Sequence, residues 1–576
     1  MDGTREFPLS KLVTWVREDP GDSFWLVGMS GTGKTSIALT LCRKLAIDPY
    51  IILGGTFFCS RSAGSIARTE AQRILPTLAA TLAELVPEFA DALSAELNAD
   101  PRAAHKPVHD QVDPLLVKPL TKLPSTTKPI VFVIDALDEC SDMDEVANLI
   151  TVISEFKSDA SVKFILTSRP EMHIQGTPIA NSEHNTIFQM HTIGQEDVDA
   201  DIRLYIIGTL QASKHPTGWY SDEDVDALVR LSHGLFIYAA TVLRYIRGRG
   251  DVTDCEGRLC KVISTMNSGM QSAVLVTPSK TALLDHIYEM IIMEASQSHP
   301  AHTDKLRKTQ HLLACLFSSR RLFSVQALAN FLDLNASDIR SFLDKLHPVA
   351  HIPADDSVSG IQALNTSFID YFMSRAAGSI RIGPSVGDDV LARHCLQTIS
   401  TQLSFNISQS RSSYEPNPST KPGVITFAIE YACMEWIYHI SRLPNPSIFD
   451  QDIYDLFRTR FLSWLEVMSS YGQVKRAAEM LELAAPKVRH RAYKVAMISS
   501  SGSSGATPRA VTLPSGRSFI RHNFPRCHRT KRSAHLRLGS PSLAQGVPDI
   551  QDVLSSLHRS RLLQRTRHRR GSRFRR

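Results

Sequence analysis

The sequence predicts an α/β fold, with a parallel sheet covered by helices, followed by an all-α region and a basic tail. In the first 245 residues, short β-branched runs alternate with helix-like stretches, which is typical of parallel strands joined by helices. From about residue 222 the pattern becomes almost wholly helical, and it fades after Pro486. The expected domains are the sheet domain 1–245, a helical connector 246–300, a winged-helix-like domain 301–380, a helical domain 381–486 and a disordered basic tail 487–576.

The first predicted strand, Phe24–Val27, leads directly into a glycine-rich loop and then into a predicted helix, Thr35–Leu45. The loop fits the phosphate-binding pattern G-x-x-x-x-G-K-[ST], with the required strand before it and helix after it. Glycines let backbone N–H groups curl around an anion, and the helix N-terminus adds unpaired N–H groups. Together these features predict a P-loop NTPase. The residues expected to hold nucleotide phosphates are Gly28, Met29, Ser30, Gly31, Thr32, Gly33, Lys34 and Thr35, and the Thr35 hydroxyl would also ligate Mg²⁺.

A second apolar strand, Ile130–Ile134, ends in a group of acidic residues. In open parallel sheets the carboxyl ends of the strands face the crevice where ligands bind. Asp135 is therefore placed to hold Mg²⁺, and Asp138 or Glu139 to orient an attacking water and accept its proton. The alternative is an acidic turn that caps the helix predicted to begin near Asp144.

A third strand, Lys163–Thr167, continues into Ser168 and Arg169. Two hydroxyls and a guanidinium at a strand end can sense the γ-phosphate of a bound nucleotide. The alternative interpretation is a solvated strand end that turns at Pro170.

The remaining elements follow from the periodicity of the apolar residues. Two further strands are predicted at Ile52–Cys59 and Ile187–His191. Helices are predicted at Ala67–Val86, Asp144–Phe156, Glu196–Leu210, Asp222–Leu231, Leu235–Ile246, Thr281–Ala295, Leu306–Leu316, Ser324–Phe331, Ala336–Leu346, Val390–Leu403, Ile425–Ile440 and Arg460–Leu483. Short extended pieces at His351–Pro353 and Gly360–Leu364 complete the winged-helix pattern, and residues 249–280 are expected to form a polar, less patterned connection.

Composition points to a cytoplasmic protein without a membrane partner. The nine cysteines show no C-x-x-C pair and no metal-ligand spacing with histidine, which is typical of reduced, buried thiols. The first residues lack an apolar signal segment, and the longest apolar run, Leu235 to Leu243, is about half of what a membrane span needs.

The net charge of +6 conceals an acidic body and a basic tail. Residues 487–576 hold 21 basic and two acidic residues, whereas the preceding residues hold 43 basic and 56 acidic ones. A disordered, solvated tail is the simplest interpretation. The alternatives are an error in the gene prediction and a nucleic-acid-binding segment, although few aromatic residues are available for base stacking, and nucleic acid is therefore not an expected partner.

Three common classes of P-loop protein do not fit. A Ras-like GTPase would carry a guanine motif, Asn/Thr-Lys-x-Asp, which Lys157-Ser-Asp159 does not match. An ABC-type ATPase would carry its Leu-Ser-Gly-Gly-Gln segment before the acidic strand, whereas Leu231-Ser-His-Gly234 comes far after it. A small-molecule kinase would not need about 250 further helical residues.

Five motifs in order resemble those of fungal NACHT-domain proteins, which belong to the STAND class of signalling NTPases. The similarity covers about residues 5–485 and is carried by Phe24-Trp-Leu-Val-Gly-Met-Ser-Gly-Thr-Gly-Lys-Thr35, Phe57-Phe-Cys-Ser-Arg61, Val133-Ile-Asp-Ala-Leu-Asp-Glu-Cys140, Leu166-Thr-Ser-Arg-Pro170 and Gly234-Leu-Phe-Ile-Tyr-Ala-Ala240. Such proteins often continue into WD or ankyrin repeats, but no repeat of 20–50 residues occurs in this sequence.

The resemblance implies a switch controlled by ATP and ADP with Mg²⁺, with GTP as an alternative nucleotide. It assigns Arg169 as a sensor of the nucleotide and Arg5 as a contact on the adenine side. It also points to Asn365, which stands where the family often has a histidine that touches the ADP phosphate. Asparagine carries no charge, so the ADP-locked state is expected to be weaker in this chain.

Three functions are therefore open. The first is a STAND-type switch that hydrolyses nucleotide slowly and self-associates on activation, with unknown protein partners. The second is a scaffold that binds nucleotide but hydrolyses none, against which the acids Asp135, Asp138 and Glu139 argue. The third is a nucleic-acid-associated NTPase that uses the basic tail.

Overall fold

The computed structural model describes residues 3–484, apart from 62–67, 124–127, 159, 171–184, 213–217, 249–253, 273–281, 297–301, 375–382, 384 and 410–424. The basic tail 487–576, for which disorder is predicted, lies outside the described residues. The chain divides into two units, one formed by Met1–Cys395 with Tyr438–Pro444 and the other by Leu396–Ile437 with Asn445–Arg576.

A five-stranded parallel sheet forms the centre of the first unit, which confirms the predicted α/β fold. The strands are β1 (Ser23–Val27), β2 (Ile52–Phe58), β3 (Ile130–Asp135), β4 (Val162–Ser168) and β5 (Asn185–Gln189), and their spatial order is β2-β3-β4-β1-β5. All five lie within two residues of the predicted positions. Every residue of β3 and β4 is buried, because helices cover both faces of the sheet.

The two faces of the sheet carry separate apolar clusters. Alternate residues of β3 point to opposite sides, so Phe132 and Ile134 join one cluster while Val131 and Val133 join the other. The helices of this part are α1 (Glu6–Glu18), α2 (Lys34–Ala46), α3 (Ile74–Leu85), α4 (Pro87–Ala99), α5 (Val108–Val112), α6 (Lys118–Leu120), α7 (Met143–Ser154), α8 (Gln195–Gln211), α9 (Asp222–Ser232) and α10 (Phe236–Arg247). The sequence pattern did not predict α1, α4, α5 or α6.

The later part of the chain is helical apart from one short strand pair. Its elements are α11 (Cys255–Ser272), α12 (Ala282–Ser296), α13 (His302–Ser318), α14 (Val325–Leu332), α15 (Ala336–Lys345), β6 (Ala350–His351), β7 (Gln362–Ala363), α16 (Thr366–Met373), α17 (Val386–Gln402), α18 (Phe427–Ser441), α19 (Asp450–Thr459) and α20 (Phe461–Ser470). Strands β6 and β7 pair antiparallel. None of the helices in the described ranges is long and apolar enough to cross a membrane.

Two expectations for this region were wrong in detail. The stretch 249–280 contains helix α11, whose Leu259 and Val262 are buried although polar residues dominate its sequence. The helix expected at Arg460–Leu483 is interrupted, because Gly472 adopts a left-handed conformation (φ 68°) between α20 and a helical stretch at 474–484.

Lys163 on β4 anchors the end of α1 to the sheet. Its ammonium group donates hydrogen bonds to the carbonyl oxygens of Asp19 and Gly21, the latter at 3.1 Å, and lies 4.5 Å from the centre of the Trp15 ring. Burial lowers the pKa of this lysine, while the nearby carboxylates of Asp19 and Asp22 raise it, so the net shift is downward.

We expect Lys163→Met to destabilise the chain by about 1–3 kcal/mol, because it leaves carbonyl oxygens at the end of α1 without their donor. Lys122→Met is the matched control, since Lys122 is exposed. Thermal unfolding of both variants checks the expectation, and equal melting temperatures would contradict the anchoring role.

Candidate nucleotide-binding site

The glycine-rich loop connects β1 to α2 at the carboxyl end of the sheet. Gly31 and Gly33 have φ angles of 79° and 94°, a conformation that glycine adopts without strain. Lys34 begins α2 and is buried, and its ammonium group donates to the carbonyl oxygens of Gly28 at 2.6 Å and Met29 at 3.0 Å. The lysine therefore lies within the loop that it is expected to serve.

The first turn of α10 packs against the glycine-rich loop and forms a hydrogen bond with it. The backbone N–H of Ile237 donates to the carbonyl oxygen of Gly31 at 3.2 Å. A Cβ atom at position 31 would lie only 2.0 Å from the Ile237 side chain. Glycine is thus required at Gly31 both by its φ angle and by this close approach.

Asp135 ends β3 with its side chain almost fully buried, at 1% exposure. The Thr167 hydroxyl donates to the Asp135 carboxylate at 2.6 Å and accepts from the backbone N–H of Ala136 at 2.9 Å. Burial raises the pKa of Asp135, although hydrogen bonds from Thr167 and Thr35 and the charge of Lys34 lower it. Thr35 and Asp135, the two predicted Mg²⁺ ligands, are therefore neighbours.

A sharp turn after Asp135 presents the other two acids. Ala136 has a positive φ of 57°, which is uncommon for a residue with a Cβ atom and is found often at functional sites. A short 3₁₀ helix, Leu137–Glu139, follows it. Asp138 accepts a hydrogen bond from the backbone N–H of Arg169, and its second oxygen lies 3.0 Å from the Arg169 Nε atom.

Glu139 is held by both of its carboxylate oxygens. One accepts from the backbone N–H of Arg61 at 3.0 Å, and the other accepts from the Thr366 hydroxyl at 3.1 Å. Burial raises the pKa of Glu139, and the charge of Asp138 adds to that rise. A carboxylate with a raised pKa is a stronger proton acceptor than an ordinary one.

Arg169 contacts both the acidic turn and helix α16. Its Nη1 atom lies 2.7 Å from the Asp370 carboxylate, and its Nη2 atom donates to the Thr366 hydroxyl at 2.9 Å. Burial lowers the pKa of Arg169, but the charges of Asp370, Asp138 and Glu139 outweigh it and the net shift is upward. Sequence reasoning missed Thr366 and Asp370, although the adjacent position Asn365 was singled out.

Arg5 reaches the outer side of the loop. Its Nη2 atom donates to the carbonyl oxygen of Thr32 at 2.9 Å, and its guanidinium carbon lies 4.7 Å from the centre of the Phe236 ring. Its Nε and Nη1 atoms are buried and have no hydrogen-bond acceptor within the described structure, although Asp201 forms an ion pair with Nη1 at 3.9 Å. These donors are suited to an acceptor on a ligand.

A cavity of about 790 Å³ adjoins the loop, which is a usual volume for a small-molecule site. Its walls include Arg5, Gly28, Met29, Ser30, Thr32, Arg169, Met190, His191, Gln195, His233 and Leu235. Asn365 is not among the lining residues and instead precedes the first turn of α16. Its nucleotide contact stays a prediction.

The fold and this loop define a P-loop NTPase domain. The described residues contain no cluster of three or more histidine, cysteine or acidic side chains that could hold a metal alone. Thr35 and Asp135 suit Mg²⁺ as oxygen ligands, because this ion usually takes only one or two protein ligands and completes its shell with phosphate and water oxygens.

One segment of the chain matches a known protein family. Residues 7–169 match the family described as "Nephrocystin 3, N-terminal", a segment that runs from α1 through the loop and the acidic turn to Arg169. No curated protein matches the chain. The matched segment is less than a third of the chain, so the similarity to this family is limited to the part that carries the loop and the acidic turn.

Several solved structures show a weak likeness. A STAND protein with a tetratricopeptide repeat sensor from Pyrococcus horikoshii is 13% identical with a TM-score of 0.36, and the match covers 85% of this chain and 64% of that protein. Drosophila ORC bound to DNA is 13% identical with a TM-score of 0.29, covering 66% of this chain and 92% of that one. A Thermotoga maritima RuvB mutant is 12% identical with a TM-score of 0.23, covering 64% and 94%.

We expect Gly31→Ala to weaken nucleotide binding by at least tenfold, because the new Cβ overlaps Ile237 and must push the loop off α10. Gly218→Ala is the matched control, since Gly218 has a similar φ of 92° but no atom within 4 Å of an added Cβ. Titration with a fluorescent nucleotide analogue measures both. Equal losses in the two variants would mean that the contact with α10 does not hold the loop.

Proposed function

We propose that the protein is a nucleotide-dependent switch of the STAND type, which binds ATP or ADP with Mg²⁺ and hydrolyses ATP slowly. The nucleotide state would control opening of the chain and its self-association. The observation that carries the proposal is the position of Lys34, whose buried ammonium group lies in the glycine-rich loop and donates to the carbonyl oxygens of Gly28 and Met29. Burial lowers the pKa of Lys34, and Asp138, Arg169, Asp135 and Glu139 all act on it electrostatically.

Each group at the site would have a separate role in phosphoryl transfer. Backbone N–H groups of the loop and the Lys34 ammonium would hold the β- and γ-phosphates. Thr35 and Asp135 would hold Mg²⁺, which screens phosphate charge and orients the leaving group. Glu139 would accept a proton from the attacking water, and Arg169 would stabilise negative charge on the γ-phosphate.

Slow turnover is consistent with how Glu139 is held. Both of its oxygens already accept hydrogen bonds, from Arg61 and Thr366, and these bonds compete with the attacking water. Loosening of either bond would leave Glu139 a stronger acceptor for the proton of the water. The cavity beside Arg5 offers polar side chains that suit either adenine or guanine. The preference for ATP over GTP therefore rests on the resemblance alone.

A nucleotide-binding scaffold without hydrolysis is the second candidate. The observation in its favour is that α16 binds both Glu139 and Arg169 through hydrogen bonds. If these bonds never broke, neither side chain could take part in hydrolysis. The two candidates agree on binding and differ in turnover, so measuring turnover of the unsubstituted chain separates them.

We expect Glu139→Gln to lower ATP turnover by about 100-fold or more, because glutamine cannot accept the proton of the attacking water. Affinities for ADP and for a non-hydrolysable ATP analogue should stay within about threefold, since glutamine keeps a similar shape. Phosphate release and nucleotide titration of the full chain give both quantities, and Glu155→Gln serves as an exposed control on the surface.

Undiminished turnover in the Glu139→Gln variant would exclude this residue as the proton acceptor. Tight binding without turnover in the unsubstituted chain would instead favour the scaffold.

A further inference from the structure

The Arg169 guanidinium pairs with two carboxylates that differ in solvent exposure. Asp138 belongs to the acidic turn, and its side chain is only 5% exposed. Asp370 belongs to α16, and its side chain is 37% exposed. A buried carboxylate is costly to separate from its partner, whereas a partly exposed one can leave for water. Of the two, Asp370 is the partner that can be exchanged.

Helix α16 presents two polar groups to Arg169 from one face. Thr366 and Asp370 are four residues apart and therefore lie on the same side of the helix. Thr366 is nearly buried, accepts from Arg169 and donates to Glu139. Asp370 also lies 3.8 Å from the Nη1 atom of Arg61. One carboxylate thus faces two arginines that flank the candidate proton acceptor.

We propose that Asp370 is a built-in competitor of the γ-phosphate for Arg169, and that this competition sets the preference between nucleoside triphosphate and diphosphate. The proposal rests on the proposed nucleotide site. Carboxylate and phosphate oxygens are alternative acceptors for the same guanidinium donors. Arg169 lines the cavity beside the loop, and its guanidinium contacts α16.

Only a triphosphate carries the group that competes. A diphosphate ends before the γ position, so Asp370 keeps Arg169 when ADP is bound. A triphosphate draws Arg169 away from α16, and Thr366 then loses one of its two partners beside Glu139. Binding of the γ-phosphate and release of α16 are therefore coupled, and by linkage each favours the other.

The test substitutes Asp370→Asn in the full chain, which keeps the side-chain shape and removes its charge. Affinity for a non-hydrolysable ATP analogue should rise about tenfold, because the γ-phosphate no longer displaces a charged competitor. Affinity for ADP should change less than about twofold. In an Arg169→Gln background the same substitution should not change the affinity for either nucleotide, because the arginine for which Asp370 competes is absent.

Asp389→Asn is the matched control, because Asp389 is also paired with an arginine, Arg393, and is 34% exposed but lies on α17. It should change neither affinity. The proposal would be overturned if Asp370→Asn changed the affinities for both nucleotides equally or lowered the affinity for the ATP analogue. It would also be overturned if Asp370→Asn had the same effect in the Arg169→Gln background. Failure of the proposed function has another signature, since the unsubstituted chain would then bind neither nucleotide.

Discussion

A carboxylate buried at the end of strand β3 is the constraint around which the site is arranged. Asp135 is charged at neutral pH only if its surroundings replace the water that burial removes. Thr167 supplies a hydroxyl from the neighbouring strand, and Thr35 supplies another from the first turn of α2. Three elements of the P-loop domain are thereby aligned at one point.

The same constraint explains the turn that follows. The Thr167 hydroxyl also accepts a hydrogen bond from the backbone N–H of Ala136, which adopts a left-handed conformation. The chain is therefore redirected at once, and Asp138 and Glu139 come to face Arg169 and Arg61. The strained backbone of Ala136 thus allows a turn that brings two further acidic residues to the carboxyl edge of the sheet.

Helix α16 gives the site a connection to the later part of the first unit. Thr366 and Asp370 contact Glu139 and Arg169 across about two hundred residues of sequence. The side chains proposed for hydrolysis and for γ-phosphate recognition are thus also those that hold α16. A ligand that alters them must change how firmly α16 is held, which is the physical requirement for a switch.

Sequence patterns predicted the strands well because buried parallel strands are continuous apolar runs. Ile130–Ile134 and Lys163–Thr167 could hardly be assigned otherwise, and strand ends in such sheets point to the ligand crevice. Helix α11 was missed because its buried residues are few among polar ones. Thr366 and Asp370 could not be found, since no local pattern reveals a contact made through the tertiary fold.

The proposed switch requires that Lys34 hold nucleotide in the glycine-rich loop. Calorimetric titration of the full chain and of its Lys34→Ala variant with MgADP and with a magnesium-bound ATP analogue tests this. We expect one binding event per chain in the unsubstituted protein and at least a tenfold weaker affinity in the variant. Equal affinities in the two proteins, or no binding to either, would contradict it.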